Sequence, residues 1–257
     1  MKSVQSAASS YPCVNILGVR VDAVTYGDVL DIINRWIEQR GPHQIATANP
    51  EFVMAAQSDA EFHQALLNAD LCVADGVGLL WAARRLGAQL PERVTGSDLV
   101  PLVAEAAAQR GWRLYLLGAA AGVAEQTAHE LEQRSPGLRI VGVYAGSPAE
   151  AEATAIVQRV TAAAPDVLLV AYGAPAQDLW VARHKVALGV PVMMGVGGAF
   201  DHIVGVQRRA PLWVQHMHLE WLWRLVTQPW RWRRQLALPR FVWAVWRQRA
   251  RRVEVVA

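Results

Sequence analysis

The sequence predicts an α/β protein: a mostly parallel sheet covered by helices on both faces, followed by a helical C-terminal appendage. Three observations lead there. Between residues 14 and 206, short apolar runs alternate with amphipathic stretches. The runs are rich in β-branched residues and several end in glycine, as strands buried on both faces do. After residue 206 the composition changes. Residues 207–257 hold 11 Arg against only Glu220 and Glu254, while the rest of the chain is net acidic. Strands alternating with helices must cross over to pair, which gives parallel strands sandwiched between helices.

Each element has its own signal. The leader, "MKSVQSAASSYP", is small and polar. It lacks the apolar segment of a signal peptide, so residues 1–13 read as a flexible leader. Seven apolar runs read as strands: "VNILGVRV", "QIATAN", "LCVAD", "WRLYLLG", "LRIVGVY", "DVLLVAYG" and "VPVMMGVGG". Among the helices, "SDAEFHQALLNA" opens with Ser58 three residues before Glu61, the spacing of a capping box. Ser147 and Glu150 repeat it. A helix is predicted behind an Asp98 cap, stopping at Gly111. Pro50 suits the first helical position, with Asn49 as its cap. Together these give a Rossmann-like body over 14–206 and an appendage over 207–257.

Composition excludes several classes. The hydrophobic fraction is 53 % and the charged fraction 18 %, yet no run reaches the ~18 apolar residues of a spanning helix. Cys13 and Cys72 lie far apart in apolar surroundings, which fits core thiols in a reducing compartment. No G-x-S-x-G, H-E-x-x-H, G-x-G-x-x-G or G-x-x-x-x-G-K-[ST] is present, and no D-x-D pair. No metal or cofactor is therefore expected. His216 and His218 stand near Glu220 in the Trp/Arg-rich tail and read as packing or interfacial residues.

In a parallel sheet, ligands bind where strands end and helices begin. Asp75 and Gly76 follow one such end. They read either as an Asp-Gly turn or as a carboxylate able to take a proton from a hydroxyl. Thr47 and Asn49 end another, and Asn49 is divided between capping and ligand contact. Arg93 reads as a solvated surface residue or as a phosphate clamp, since guanidinium forks suit diphosphates. "GAAAG" (118–122) has the order of a phosphate loop: strand, glycine, helix N-terminus. Gly197 and Gly198 let backbone approach a ligand. Asp201 after them contacts a sugar hydroxyl or caps a helix.

Taken in order, these segments resemble the WecG/TagA/CpsF glycosyltransferases. The likeness runs from "TANPEFVMAAQSDAEFHQALLNADLCVADGVGLLWAARRLGAQLPERVTGSDLV" through "GAPAQDLW" and "GVGGAFDHIVGVQRRAP" to "LEWLWRLVTQPWRWRR", about residues 14–238. The resemblance implies inverting transfer of a sugar from a UDP-sugar donor to a polyprenyl-diphosphate-linked sugar at the inner face of the cytoplasmic membrane. It puts Asp75 at the general-base position. Thr47 and Asn49 fall on the acceptor strand end, Arg93 and Gln177 on substrate-binding positions, and Asp201 on a Gly-Gly-x-Phe-Asp motif. The appendage, with Arg224, Arg231 and Arg234, matches one thought to close over the site and touch membrane. The chain departs from the family pattern at Ala74 (Pro), Ala176 (Lys) and Asp178 (Glu). UDP-N-acetylmannosamine ranks first as donor, ahead of UDP-glucose or a UDP-uronic acid. A non-catalytic membrane-peripheral module and a nucleic-acid binder are the competing classes; the second leaves the cleft motifs unexplained, and no nucleic acid is expected as partner. Homo-oligomerisation stays open.

Overall fold

The computed structural model describes residues 11–207, 210–211, 214, 223 and 236–248. Arg224, Arg231, Arg234, the His216–His218 pair and most of the tail tryptophans lie outside the described residues.

Six strands form one parallel sheet: β3 (His43–Ala48), β4 (Leu71–Ala74), β5 (Arg113–Gly118), β6 (Arg139–Tyr144), β7 (Val167–Ala171) and β8 (Val192–Gly195). Their spatial order is β4-β3-β8-β7-β5-β6. The chain leaves β3 toward one edge and leaves β5 toward the other, then returns to lay β7 and β8 between. Divergent connections of this kind open a crevice at the C-terminal ends of the central strands.

The first apolar run is a correction. "VNILGVRV" is not a strand of this sheet. It is a separate antiparallel hairpin, β1 (Cys13–Ile16) and β2 (Val19–Asp22). Leu17 and Gly18 both have positive φ, 52° and 88°, so a two-residue turn folds the run on itself. The Asn15 side chain holds the turn by accepting from Gly18 N at 2.8 Å.

The helices are α1 (Tyr26–Gln39), α2 (Pro50–Ala56), α3 (Ala60–Leu67), α4 (Val77–Arg85), α5 (Gly96–Arg110), α6 (Val123–Arg134), α7 (Glu150–Ala163), α8 (Ala176–Leu188), α9 (Ala199–Ile203) and α10 (Ala237–Gln248). Strand alternation sorts the core. Ile45, Leu71, Val73, Leu114, Leu169 and Met194 face α1, α5, α6 and α9. Ala46, Ala48, Cys72 and Ala74 face α2, α3, α4, the hairpin and α10. Small residues on that second face let the helices approach closely.

Three caps differ from the sequence reading. Asp59, not Ser58, caps α3, because its carboxylate accepts from Phe62 N at 2.9 Å. The Ser58 hydroxyl instead donates to Ala55 O at the end of α2. Helix α7 begins at Glu150 itself, so that residue is too early for a box. Ser147 Oγ accepts from Ala149 N, a turn two residues long. Thr95 caps α5 and Asp98 sits three residues inside, accepting from the Thr95 hydroxyl at 2.8 Å. Asn49 caps α2 behind Pro50, and α5 stops at a left-handed Gly111.

The end of the appendage is seated on the body. Phe241 and Val245 of α10 are 1 % and 0 % exposed and belong to the core beneath α2 and α4. The Gln248 amide spans the hairpin turn: its Oε1 accepts from Leu17 N at 2.9 Å and its Nε2 donates to Asn15 O at 2.8 Å. No helix among the described residues is long and apolar enough to cross a membrane.

Candidate active site

The crevice is built from the ends of β4, β3 and β8 and the start of α5. Backbone pairing carries β4 one residue past its end, since Asp75 N donates to Ala48 O at 2.7 Å. The chain then turns sharply at Gly76, whose φ is 136°. Only glycine adopts that conformation without strain. Gly78 lets α4 press on Pro50: a Cβ there would come within 2.6 Å of Pro50 Cγ. The Asp75 side chain is thereby left at the rim, half-buried. Its Oδ2 accepts from Gly96 N, the first amide of α5, at 3.3 Å. A carboxylate at a helix N-terminus sits against the positive end of the helix dipole.

That helix start is itself braced. Val94 N donates to Ala74 O at 3.0 Å, tying the loop before α5 to the end of β4. Arg93 lies in this loop, half-buried, one residue before that anchor. Tyr26 of α1 supports it from behind: its hydroxyl accepts from Thr95 N at 2.9 Å and reaches Asp98 Oδ2 at 3.4 Å. Burial pushes the Tyr26 phenol above its usual range; hydrogen bonds from Thr95 offset part of this, and the nearby Asp98 and Asp75 carboxylates add to it. Tyr26, Thr95 and Gly96 were not singled out by sequence. The only signal was the Thr-x-x-Asp spacing of a cap.

Thr47 and Gly96 meet across the crevice floor: a Cβ on Gly96 would lie 3.7 Å from Thr47 Cγ2. The Thr47 hydroxyl donates to Gly195 O at 3.1 Å, and the residue is 4 % exposed. It locks the end of β3 to the end of β8. Asn49 Oδ1 accepts from Phe52 N at 3.0 Å, so its oxygen serves as the cap of α2.

Gln177 and Gly197 are brought together. Gln177 is buried in the first turn of α8, and its Oε1 accepts from Gly197 N at 2.9 Å. Gly198 starts α9. Asp201 lies in the first turn of α9 without capping it, and accepts from Gln207 Nε2 at 3.1 Å. Farther along the sheet, Gly118 has φ 102°, and a Cβ there would meet Ala171 C at 2.7 Å. The 118–122 loop therefore crosses directly over the end of β7 into α6.

Helices α4, α6, α8 and α9 all begin along this edge with no side-chain cap. The first amides of α8 are taken by Gly173 O and Pro175 O; uncapped first turns elsewhere on the edge leave N–H donors that a diphosphate can use. The arrangement offers a rim carboxylate, a floor of strand ends fixed by short hydrogen bonds, and a row of helix N-termini.

A parallel α/β body with these features at its C-terminal edge has the architecture in which ligands bind beyond the strand ends. The chain belongs to the Glycosyl transferase WecG/TagA/CpsF family, whose model matches residues 14–254. It is 32 % identical over 225 residues to a protein of Bacillus spizizenii, covering 88 % of this chain and 87 % of that one. Relatives in Bacillus subtilis, at 29 % identity, and Staphylococcus aureus, at 30 %, are each matched over 90 % of this chain and about nine-tenths of their own length. All three are named N-acetylglucosaminyldiphosphoundecaprenol N-acetyl-beta-D-mannosaminyltransferase.

Proposed function

We propose that this glycosyltransferase moves N-acetylmannosamine from UDP to the N-acetylglucosamine of a diphosphoundecaprenol-linked acceptor, with inversion at the transferred carbon. The observation that carries the reading is Asp75, fixed by the first amide of α5 at the open rim of the crevice. Inverting transfer needs one base to take the acceptor hydroxyl proton as that oxygen attacks the sugar C1. The departing UDP needs positive charge, which helix N-termini, Arg93 and the appendage residues Arg224, Arg231 and Arg234 would supply. Thr47, Gln177, Gly197 and Gly198 shape the floor on which the donor lies, and Asn49 and Asp201 its flanks.

The surface of α10 supports action at a membrane face. Trp243 and Trp246 are 60 % and 57 % exposed, with Leu236 and Val242 beside them. Arg247 stacks on Trp243 at 4.0 Å, and Arg85 of α4 on Trp246 at 4.2 Å. Exposed Trp suits the headgroup interface, and Arg beside it meets lipid phosphate.

The test is UDP release from UDP-N-acetylmannosamine with a polyprenyl-diphosphate N-acetylglucosamine acceptor, run beside UDP-glucose and a UDP-uronic acid and with or without EDTA. Transfer from the first donor, undiminished by EDTA, is the expected result. Preference for another donor would overturn the sugar assignment. Restoration of activity only by Mg²⁺ or Mn²⁺ would overturn metal independence.

A further inference from the structure

Directly after Gln177 lies an acid with no ordinary way to be charged. Asp178 is 0 % exposed, and neither carboxyl oxygen has a hydrogen-bond partner. The Gln177 amide is beside it without an aligned hydrogen bond. Both side chains press on the same glycine: a Cβ on Gly195 would lie 2.6 Å from Gln177 Nε2 and 3.0 Å from Asp178 Oδ1. Gln44, on β3, donates its Nε2 to Asp178 O at 3.1 Å, and its own Oε1 is buried and unpartnered. Both Asp178 carboxyl oxygens, and Oε1 of the Gln44 that holds the Asp178 backbone, are thus buried acceptors without an aligned donor. Adding one proton to the carboxyl converts an acceptor into a donor; ionising it buries a bare charge.

Among the described residues, the cations nearest in the fold are paired elsewhere. On the elements packed around α8, Arg183 is committed to Glu61 of α3 and Lys185 to Asp70, which also holds Gln44 N. On β2, Arg20 pairs with Asp22. Cys72 of β4 faces the same interior, its thiol held neutral chiefly by burial and by the Asp22 carboxylate.

We propose that Asp178 works in its neutral, protonated form as a positioning residue. It wedges the Gln177 amide so that Gln177 Oε1 holds Gly197 N, and its ionisation releases the Gly197–Gly198 turn from the donor side of the crevice. Burial lifts this carboxyl to about 7, with the Gln177 amide pulling it part of the way back. The turn would thus be intact in mildly acid solution and loosen as pH rises to neutrality. The proposal deepens the functional reading above, because it assigns the turn to the donor side.

The experiment follows the Gly197 amide in the full-length protein by hydrogen exchange, corrected for the intrinsic pH dependence of exchange. In the unsubstituted protein its protection should fall by up to about tenfold per pH unit as pH rises from about 5 to 7, and level off above. In Asp178→Asn, which mimics the neutral acid, protection should stay level across that range. In Asp178→Ala it should be low throughout. Infrared spectroscopy should show a protonated-carboxyl band at pH 6 that Asp178→Asn removes. In the transferase assay, donor KM should follow the same three patterns while kcat changes less than about threefold. Superimposable protection profiles for the unsubstituted protein and Asp178→Asn would overturn the proposal, as would a missing infrared band. If protection behaves as stated but no sugar is transferred, the functional reading has failed and this one stands.

Discussion

At the scale of single residues, Asp75 and Asp178 show how environment separates two carboxylates. Asp75 stands at a rim with an amide donor from α5. Asp178 is sealed in with none. Asp75→Asn keeps the shape and the Gly96 contact but removes the proton acceptor. Turnover should fall ~10²–10⁴-fold while UDP binding, measured by calorimetry, persists. Asp178 has a stability consequence as well. Its folded-state value of about 7 is above the 3.8 of the free side chain. Between those values the unfolded chain ionises freely and the folded protein keeps its proton. Stability therefore falls as pH rises from about 4 to about 7, by on the order of 4 kcal/mol, and levels off above. Asp178→Asn removes this dependence. Its melting temperature relative to the unsubstituted protein should climb between pH 5 and pH 7.5; a constant difference would show that the acid ionises in place. Sequence named Asp75, Gln177 and Gly197 because their motifs are local. It could not show that the Gln177 side chain is spent on Gly197, or that Thr47 is spent on Gly195. Those bonds join residues 20 and 148 positions apart.

At the scale of elements, strands of the parallel sheet were legible because burial on both faces writes continuous apolar runs. The hairpin was not, since its two strands carry the same apolar signal and only Gly18 breaks them. Cap positions moved where a neighbouring side chain bid better for the same amide, as Asp59 did over Ser58. The seating of α10 was also hidden: its sequence, "ALPRFVWAVWRQ", mixes Trp that face out with Phe241 and Val245 that face in. Phe241→Ala would open a cavity in the core shared with α2 and α4. It should cost about 3 kcal/mol, read as an earlier denaturation midpoint with an unchanged slope. Removal of residues 207–257 would strip the same core of both side chains, so truncation is a poorer test of the appendage than substitution on its outer face.

At the scale of the whole molecule, the charge asymmetry gains a partial physical setting. The described end of the basic segment packs one edge inward and turns Trp243 and Trp246 outward. Replacing both with Ser should reduce flotation with anionic liposomes by at least about tenfold, since each buried aromatic contributes more than 1 kcal/mol to the interface. The melting temperature should barely move, because neither ring is in the core. Loss of fold in that double variant, measured by circular dichroism, would show that the rings pack rather than seat. A raised-salt arm should weaken binding only in part, because screening acts on Arg and not on Trp.

The clasp between Gln248 and the turn at Asn15–Leu17 has a consequence for biosynthesis. A ribosome delivers the hairpin first and the glutamine some 230 residues later. Until then the apolar floor beneath α2 and α4 has no Phe241 or Val245 to cover it, and it is exposed to chaperones or to other nascent chains. The outward tryptophans acquire their orientation in the same final step. The exposed face of α10 is thus assembled only after every other described element has been synthesised.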